Sequence, residues 1–170
     1  MNDLAPRARL ARFIEDHTIA ARLVVTARET PTVPLAAAAL GCTVEQIVKS
    51  VLVLTKTEPP LAILVISNGV AVIDFQRLAA ILQLNRKRLR LAPADVVLAR
   101  TGYAVGGVPP FGFAEPLPTL IDPHVFEQAV VFGGGGDHQT MLEITPAELL
   151  RVTGGQIAAV RQNNTALDRR

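Results

Sequence analysis

The 170-residue sequence has no tryptophan, one tyrosine (Tyr103), one cysteine (Cys42) and only three lysines. Each shortage excludes something. A single cysteine rules out an intrachain disulfide framework and a cysteine-only zinc cage. With aromatic residues at 4% of the chain, the core has to be built from Val, Leu, Ile and Ala. The longest apolar runs, such as Leu61 to Ile66, are strand-sized and far short of the ~20 residues a membrane helix needs. Residues 1 to 17 interleave Arg, Asp and Glu with Leu, Ala, Phe and Ile, so no secretory core is expected there and a cytoplasmic protein is. No HExxH or Cys/His ligand spacing occurs, and Glu29, Asp74, Asp122 and Asp137 are not spaced as metal ligands; neither metal nor cofactor is expected. Ser50 and Ser67 lack the G-x-S-x-G elbow of a serine hydrolase.

What is present is more pointed. At roughly 100–200 residues per domain, the length predicts one domain over residues 1–161 with a fraying polar tail over 162–170. Net charge is only +2, too small to demand nucleic acid, although an isoelectric point near 9.1 permits it. Of the 17 basic residues 14 are arginine, and the lysines are Lys49, Lys56 and Lys87. Of the 12 glycines, eight lie in two clusters, Gly102 to Gly112 and Gly133 to Gly136.

Hydrophobic spacing predicts an amphipathic helix over Leu4 to Asp16 and a strand over Ala20 to Val25. A short Ala-rich helix follows Thr32 and stops at Gly41, a C′ residue. Thr43 to Gln46 fits a capping box and starts a helical turn that runs directly into Lys49 to Thr55. After its first two residues that segment is apolar on both faces, as is Leu61 to Ser67, the pattern of doubly buried strands. Asn68-Gly69 predicts a tight hairpin with Val70 to Ile73 as the return strand. Asp74 caps one helix; Pro93 to Leu98 forms another. Gly102 to Pro118 holds four glycines and four prolines, a loop long enough to expect function in it. Thr119 to Asp122, Val130 to Gly133 and Met141 to Ile144 predict short strands. Thr145 to Glu148 opens a helix ending near Gly154, and Gln156 to Val160 closes the chain as a strand. About seven strands and five or six short helices indicate a mixed α/β or α+β domain.

Four constellations bear chemistry. Lys49 sits where a capped turn enters a buried strand. It either complements a helix C-terminus or presents a compact charge to an anion or developing oxyanion in a solvent-poor place. In Gly102 to Gly112, adjacent Gly106 and Gly107 let backbone approach a ligand while Pro109 and Pro110 stiffen the exit. Gly133 to Gly136, followed by Asp137 and His138, fits neither GxGxxG nor a P-loop. His138 reads first as a surface or structural residue, with catalysis the minority alternative. Arg86, Lys87, Arg88 and Arg90 form either a phosphate-contacting patch or an ordinary solvated segment.

Ile47 to Val53, the run Gly102 to Gly112 and the late glycine turn, taken together, resemble the YbaK/prolyl-tRNA synthetase-associated editing-domain family over roughly residues 18 to 160. The resemblance implies a mixed α+β fold with a barrel-like sheet. It implies hydrolysis of mischarged aminoacyl-tRNA in trans, with the tRNA 3′ end and prolyl-tRNA synthetase as partners and no membrane. It matches Lys49 to the family's key lysine and Ser50 to the small polar residue beside it. Gly106, Gly107, Val108, Pro109 and Pro110 match a G-x-x-x-P loop for the ester or aminoacyl group. Gly133, Gly134 and His138 are expected along the same pocket, and Arg86, Lys87 and Arg88 on tRNA phosphates. A serine that some members carry early in the late turn is glycine here, and Asp137-His138 stands where a later acidic residue is expected. A non-catalytic tRNA- or synthetase-binding module and a small-molecule hydrolase are the competing readings.

Overall fold

All five α-helices among the described residues begin or end on signals visible in the sequence. The computed structural model describes residues 4–162, so the tail expected at 162–170 lies, beyond Gln162, outside the described residues. α1 (Pro6–Asp16) opens on proline and buries Leu10 completely. α2 (Val33–Leu40), α4 (Ala94–Thr101) and α5 (Pro146–Thr153) run into Gly41, Gly102 and Gly154, each in the left-handed region that a C′ residue adopts. α3 (Phe75–Ile81) is capped by Asp74, whose carboxylate accepts the N–H groups of Gln76 and Arg77. At α5 only half of the expected box forms. Thr145 Oγ1 accepts from Glu148 N–H, but the Glu148 carboxylate turns to Ala20 N–H and Arg151 instead. It thereby ties α5 to the start of β1.

The eight strands among the described residues divide between two sheets. The smaller has the order β1 (Ala21–Val25), β7 (Thr140–Ile144), β6 (Val131–Gly134), all antiparallel. The larger has the order β4 (Leu89–Leu91), β2 (Val48–Thr55), β3 (Ala62–Asn68), β5 (Thr119–Ile121), β8 (Gln156–Ile157). β2–β3 and β2–β4 are antiparallel, whereas β3–β5 and β5–β8 are parallel. The mixed α+β class is therefore as expected, but the strands do not close into a barrel. Among the described residues one isolated parallel bridge, Ile47 to Phe132, joins the backbones of the two sheets.

The Asn68-Gly69 hairpin does not form. Gly69 turns with φ +67° and donates to Ile47 C=O, yet Val70 to Val72 form no strand and Ile73 makes only an isolated bridge to Arg161. Both edges of β3 are already taken, by β2 and β5, so a return strand has nowhere to pair. The expected strand at Gln156 to Val160 is likewise cut to two residues.

Alternation along β2 and β3 feeds two cores. Val48, Leu52 and Leu54 with Leu64 and Ile66 face the smaller sheet and α1, meeting Val131, Leu142, Ile144 and Leu10. Val53, Ile63 and Val65 face the other way, against Leu78 and Ala79 of α3.

Candidate functional site

β2 is paired along its whole length with β3 but only in part on its other edge. Its odd-numbered residues aim their N–H and C=O at β3: Thr55 N–H donates to Leu61 C=O and Ile47 C=O accepts from Gly69. The even-numbered residues therefore aim theirs the opposite way, where Ala92 N–H reaches Leu52 C=O. Pairing with β4 covers Val53 to Thr55 alone. Among the described residues no strand pairs with this edge between the Ile47–Phe132 bridge and Leu52, which leaves the Ser50 N–H and C=O without a strand partner on that side.

That gap is a cavity of about 320 Å³, at the lower end of the range for small-ligand sites. Val48 to Leu52 form one wall and Leu91, Ala92 and Val97 a second. Thr30 to Val33 with Ala36 of α2 form a third, and Val105, Gly106, Val108, Gly134 and Met141 close it. Lys49 is the one charged side chain in the lining; no carboxylate, imidazole or thiol is among these residues.

Lys49 is half-buried, and burial pushes its ammonium pKa down from the usual lysine value. Its Nζ donates to Ala71 C=O at 2.5 Å. Among the described residues no carboxylate oxygen lies within 4.0 Å of it. A charged group that is partly desolvated and lacks a counter-ion interacts strongly with any anion or developing oxyanion brought beside it. Ser50, on the opposite face of the strand, has a buried Oγ with no hydrogen-bond partner.

The two glycine clusters meet each other. Gly136 N–H donates to Gly107 C=O at 2.9 Å. A Cβ on Gly134 would stand 2.2 Å from Val108 O, and one on Gly107 would stand 3.1 Å from the Asp137 backbone. The glycines are thus required because two backbone turns interlock without room for side chains. His138 fastens the assembly. Its Nε2 is 3.1 Å from Val105 O, and since a carbonyl only accepts, Nε2 carries the proton. Its own carbonyl accepts from Thr30 N–H and Oγ1.

Of the residues singled out in the sequence, Lys49, Ser50, Gly106, Val108 and Gly134 line the cavity. Gly107, Pro109, Pro110, Gly133 and His138 stand behind it: Pro109 and Pro110 are buried, and the Pro110 ring packs toward Gly133. Arg86, Lys87 and Arg88 form a 3₁₀ turn before β4, opposite the far end of β2. Thr55 lies six positions along the strand from Lys49, about 20 Å at the usual strand rise. Arg88 donates to Lys56 C=O and Arg86 lies over the Phe75 ring. Sequence reading missed Thr30 to Val33, Ala36, Val97 and Met141. An Ala-rich helix looks the same in sequence whether it covers a core or a cavity.

Among the described residues no group of three His, Cys, Asp or Glu is placed to hold a metal ion, and no helix is long and apolar enough to cross a membrane.

Comparison with known proteins bears on this site. Residues 27–152 match the family profile described as the aminoacyl-tRNA editing domain. The "Uncharacterized protein YwhH" of Bacillus subtilis (strain 168) is 32% identical over 118 residues, 69% of this chain and 72% of its own length. The "Putative Cys-tRNA(Pro)/Cys-tRNA(Cys) deacylase EbsC" of Enterococcus faecalis is 26% identical over 105 residues, 62% of this chain and 61% of its own. A crystal structure described as "a putative trans-editing enzyme for prolyl tRNA synthetase" superimposes with a TM-score of 0.81 at 32% identity, covering 94% of this chain and 99% of that one.

Proposed function

Because the chain belongs to the aminoacyl-tRNA editing domain family, we propose that it hydrolyses, in trans, the ester of tRNA for proline mischarged with a small amino acid such as cysteine or alanine. The observation that carries this is the cavity at the open edge of β2, with Lys49 as the lone charge of its lining and the Gly106 to Val108 backbone among its walls. The family's deacylases support a hydrolytic role, and the EbsC and trans-editing relatives support cysteine and proline tRNA as the pairing to test first.

An aminoacyl ester is already activated, so its hydrolysis needs an oriented nucleophile and charge stabilisation rather than a protein nucleophile. In this reading the tRNA 3′ end enters with the amino acid against Val33, Ala36, Val48, Leu52 and Met141. Water attacks the ester carbonyl, oriented by the free hydroxyl of the terminal ribose, and the bond to the ribose oxygen breaks. Lys49 leaves Ala71 C=O to meet the tetrahedral oxyanion or the terminal phosphate. Gly107 N–H is committed to Ala104 C=O, whereas among the described residues the N–H groups of Gly106 and Val108 have no acceptor and are offered for the same task. Ser50 offers the aminoacyl group its backbone N–H and C=O, and His138 keeps Val105 and Thr30 in place. Arg86, Lys87 and Arg88 are reached only by tRNA beyond its terminal nucleotide.

The test is single-turnover deacylation of tRNA for proline charged with cysteine, alanine, serine or proline. Lys49→Ala is expected to lower the rate on the preferred ester; an undiminished rate removes Lys49 from the mechanism. A second reading, a tRNA-binding module without turnover, is favoured by the absence of any general base from the lining. It predicts binding with steep salt dependence and no release from any member of the panel.

A further inference from the structure

On the other side of the glycine-rich loop lies a second concavity of about 440 Å³, between α1 and the C-terminal end of α4 and floored by Gly112 to Ala114. Its charged lining is Arg9, Arg12 and Arg100 against one carboxylate, Asp16. Asp16 is 3.5 Å from Arg12 in a pair whose side chains are 70% and 58% exposed, too wet to hold either group. Arg9 is built in. Its guanidinium stacks 4.8 Å from the Tyr103 ring centroid and donates to Gly102 C=O. Among the described residues neither Arg9 nor Arg100 has a carboxylate oxygen within 4.0 Å.

Guanidinium forks match phosphate oxygens in a way lysine does not. The position of the groove gives that chemistry a partner. α4 contributes Val97 to the catalytic cavity and Arg100 to the groove, and the loop from Gly102 to Phe113 is a wall of both. A ligand whose terminus occupies the cavity and whose chain continues past α4 brings its next charged groups to the arginines. The geometry points to the Arg9, Arg12 and Arg100 groove as the site that grips the sugar–phosphate backbone of an RNA whose 3′ end is being processed. This rests on the deacylase reading for the identity of the RNA, but not for its phosphate chemistry. The contrast with Arg86 and Arg88 sharpens it. Those guanidiniums lie before β4 at the Thr55 end of β2, and neither of them lines either cavity.

The test uses the double variant Arg12→Gln/Arg100→Gln, both positions exposed, beside Arg86→Gln/Arg88→Gln, with melting curves to check folding. Binding of uncharged tRNA for proline is measured between 50 and 300 mM salt. Deacylation is measured on charged tRNA and on aminoacyl-adenosine, which has the terminal ester but no backbone. For the groove variant, affinity is expected to fall on the order of 10-fold, with the log–log salt slope shallower by ~2. The rate on charged tRNA falls in parallel and the rate on aminoacyl-adenosine holds. An unchanged slope overturns the proposal, as does an equal loss on both substrates or a loss confined to the Arg86/Arg88 variant. If the wild type binds tRNA but hydrolyses neither substrate, the deacylase reading fails while the salt slope still decides the groove. A wild type that binds no tRNA at low salt overturns the groove outright.

Discussion

β3 and the first half of β2 are adjacent strands of one sheet, yet their surroundings differ. Every residue from Ala62 to Asn68 is buried, and the strand is paired with β2 along one edge and with β5 over Leu64 to Ile66 on the other. Lys49, Ser50 and Val51 are half-buried, paired on one edge only, and line a cavity. Where a strand is flanked on both edges, alternating side chains simply feed two cores. Where pairing lapses over a few residues, backbone donors and acceptors become available and a lone ammonium is left without a counter-ion. The chemistry proposed above is assigned to the lapse.

Substitutions break or sharpen that contrast. Leu64→Ala, in the fully buried strand, is expected to cost about 3–5 kcal/mol of stability in denaturant melts while leaving the rate per folded molecule unchanged. A rate loss without a stability loss there removes the distinction. Lys49→Met should do the reverse, dropping single-turnover deacylation on the order of 100-fold with stability unchanged or raised. The sign follows from burial. The folded state opposes the charged lysine, so the cost of Lys49 is present at neutral pH. It fades as pH climbs through the lowered pKa toward 10.5. The stability advantage of Lys49→Met is therefore largest near pH 7 and shrinks in melts taken at alkaline pH.

Gly134→Ala tests the interlocked turns, since its Cβ would collide with Val108 O. A loss of about 1–3 kcal/mol is expected from overpacking, together with reduced activity because Val108 lines the cavity. A variant with full activity places the catalytic loop elsewhere. Smallest is Glu148→Gln, distant from both strands. Hydrogen bonds from Arg151 and Ala20 N–H hold the Glu148 carboxyl at about 2. Its contribution is present above the unfolded value near 4.5 and is lost as pH falls toward 2. The variant's melting temperature should fall slightly below that of wild type at pH 7 and converge with it in acid, with deacylation unaffected.

Much of the secondary structure was legible because it rests on local chemistry. Glycines 41, 102 and 154 end helices by accepting a left-handed conformation, and Asp74 and Thr145 begin them by accepting backbone N–H groups. The reading failed where neighbours decide. Asn68-Gly69 has hairpin chemistry, but Asn68 stays in the strand and no edge of β3 is vacant. The glycine clusters were legible as special backbone, but not which of them would face a cavity. Gly106 and Gly134 reach the cavity, while Gly107 and Gly133 serve the contact between turns.

By itself the sequence determined an aliphatic mixed α+β domain, the start and stop of its helices, and the prominence of Lys49 and two glycine loops. These depend on composition, on periodicity and on residues acting on their own backbone. Only the tertiary structure decided that the two loops interlock, that the basic run at Arg86 lies far from Lys49, and that α1 and α4 gather three arginines. It alone placed the cavity at the open edge of β2. Those outcomes depend on which segments compete for the same sheet edge and the same surface, and no residue carries that competition in its identity.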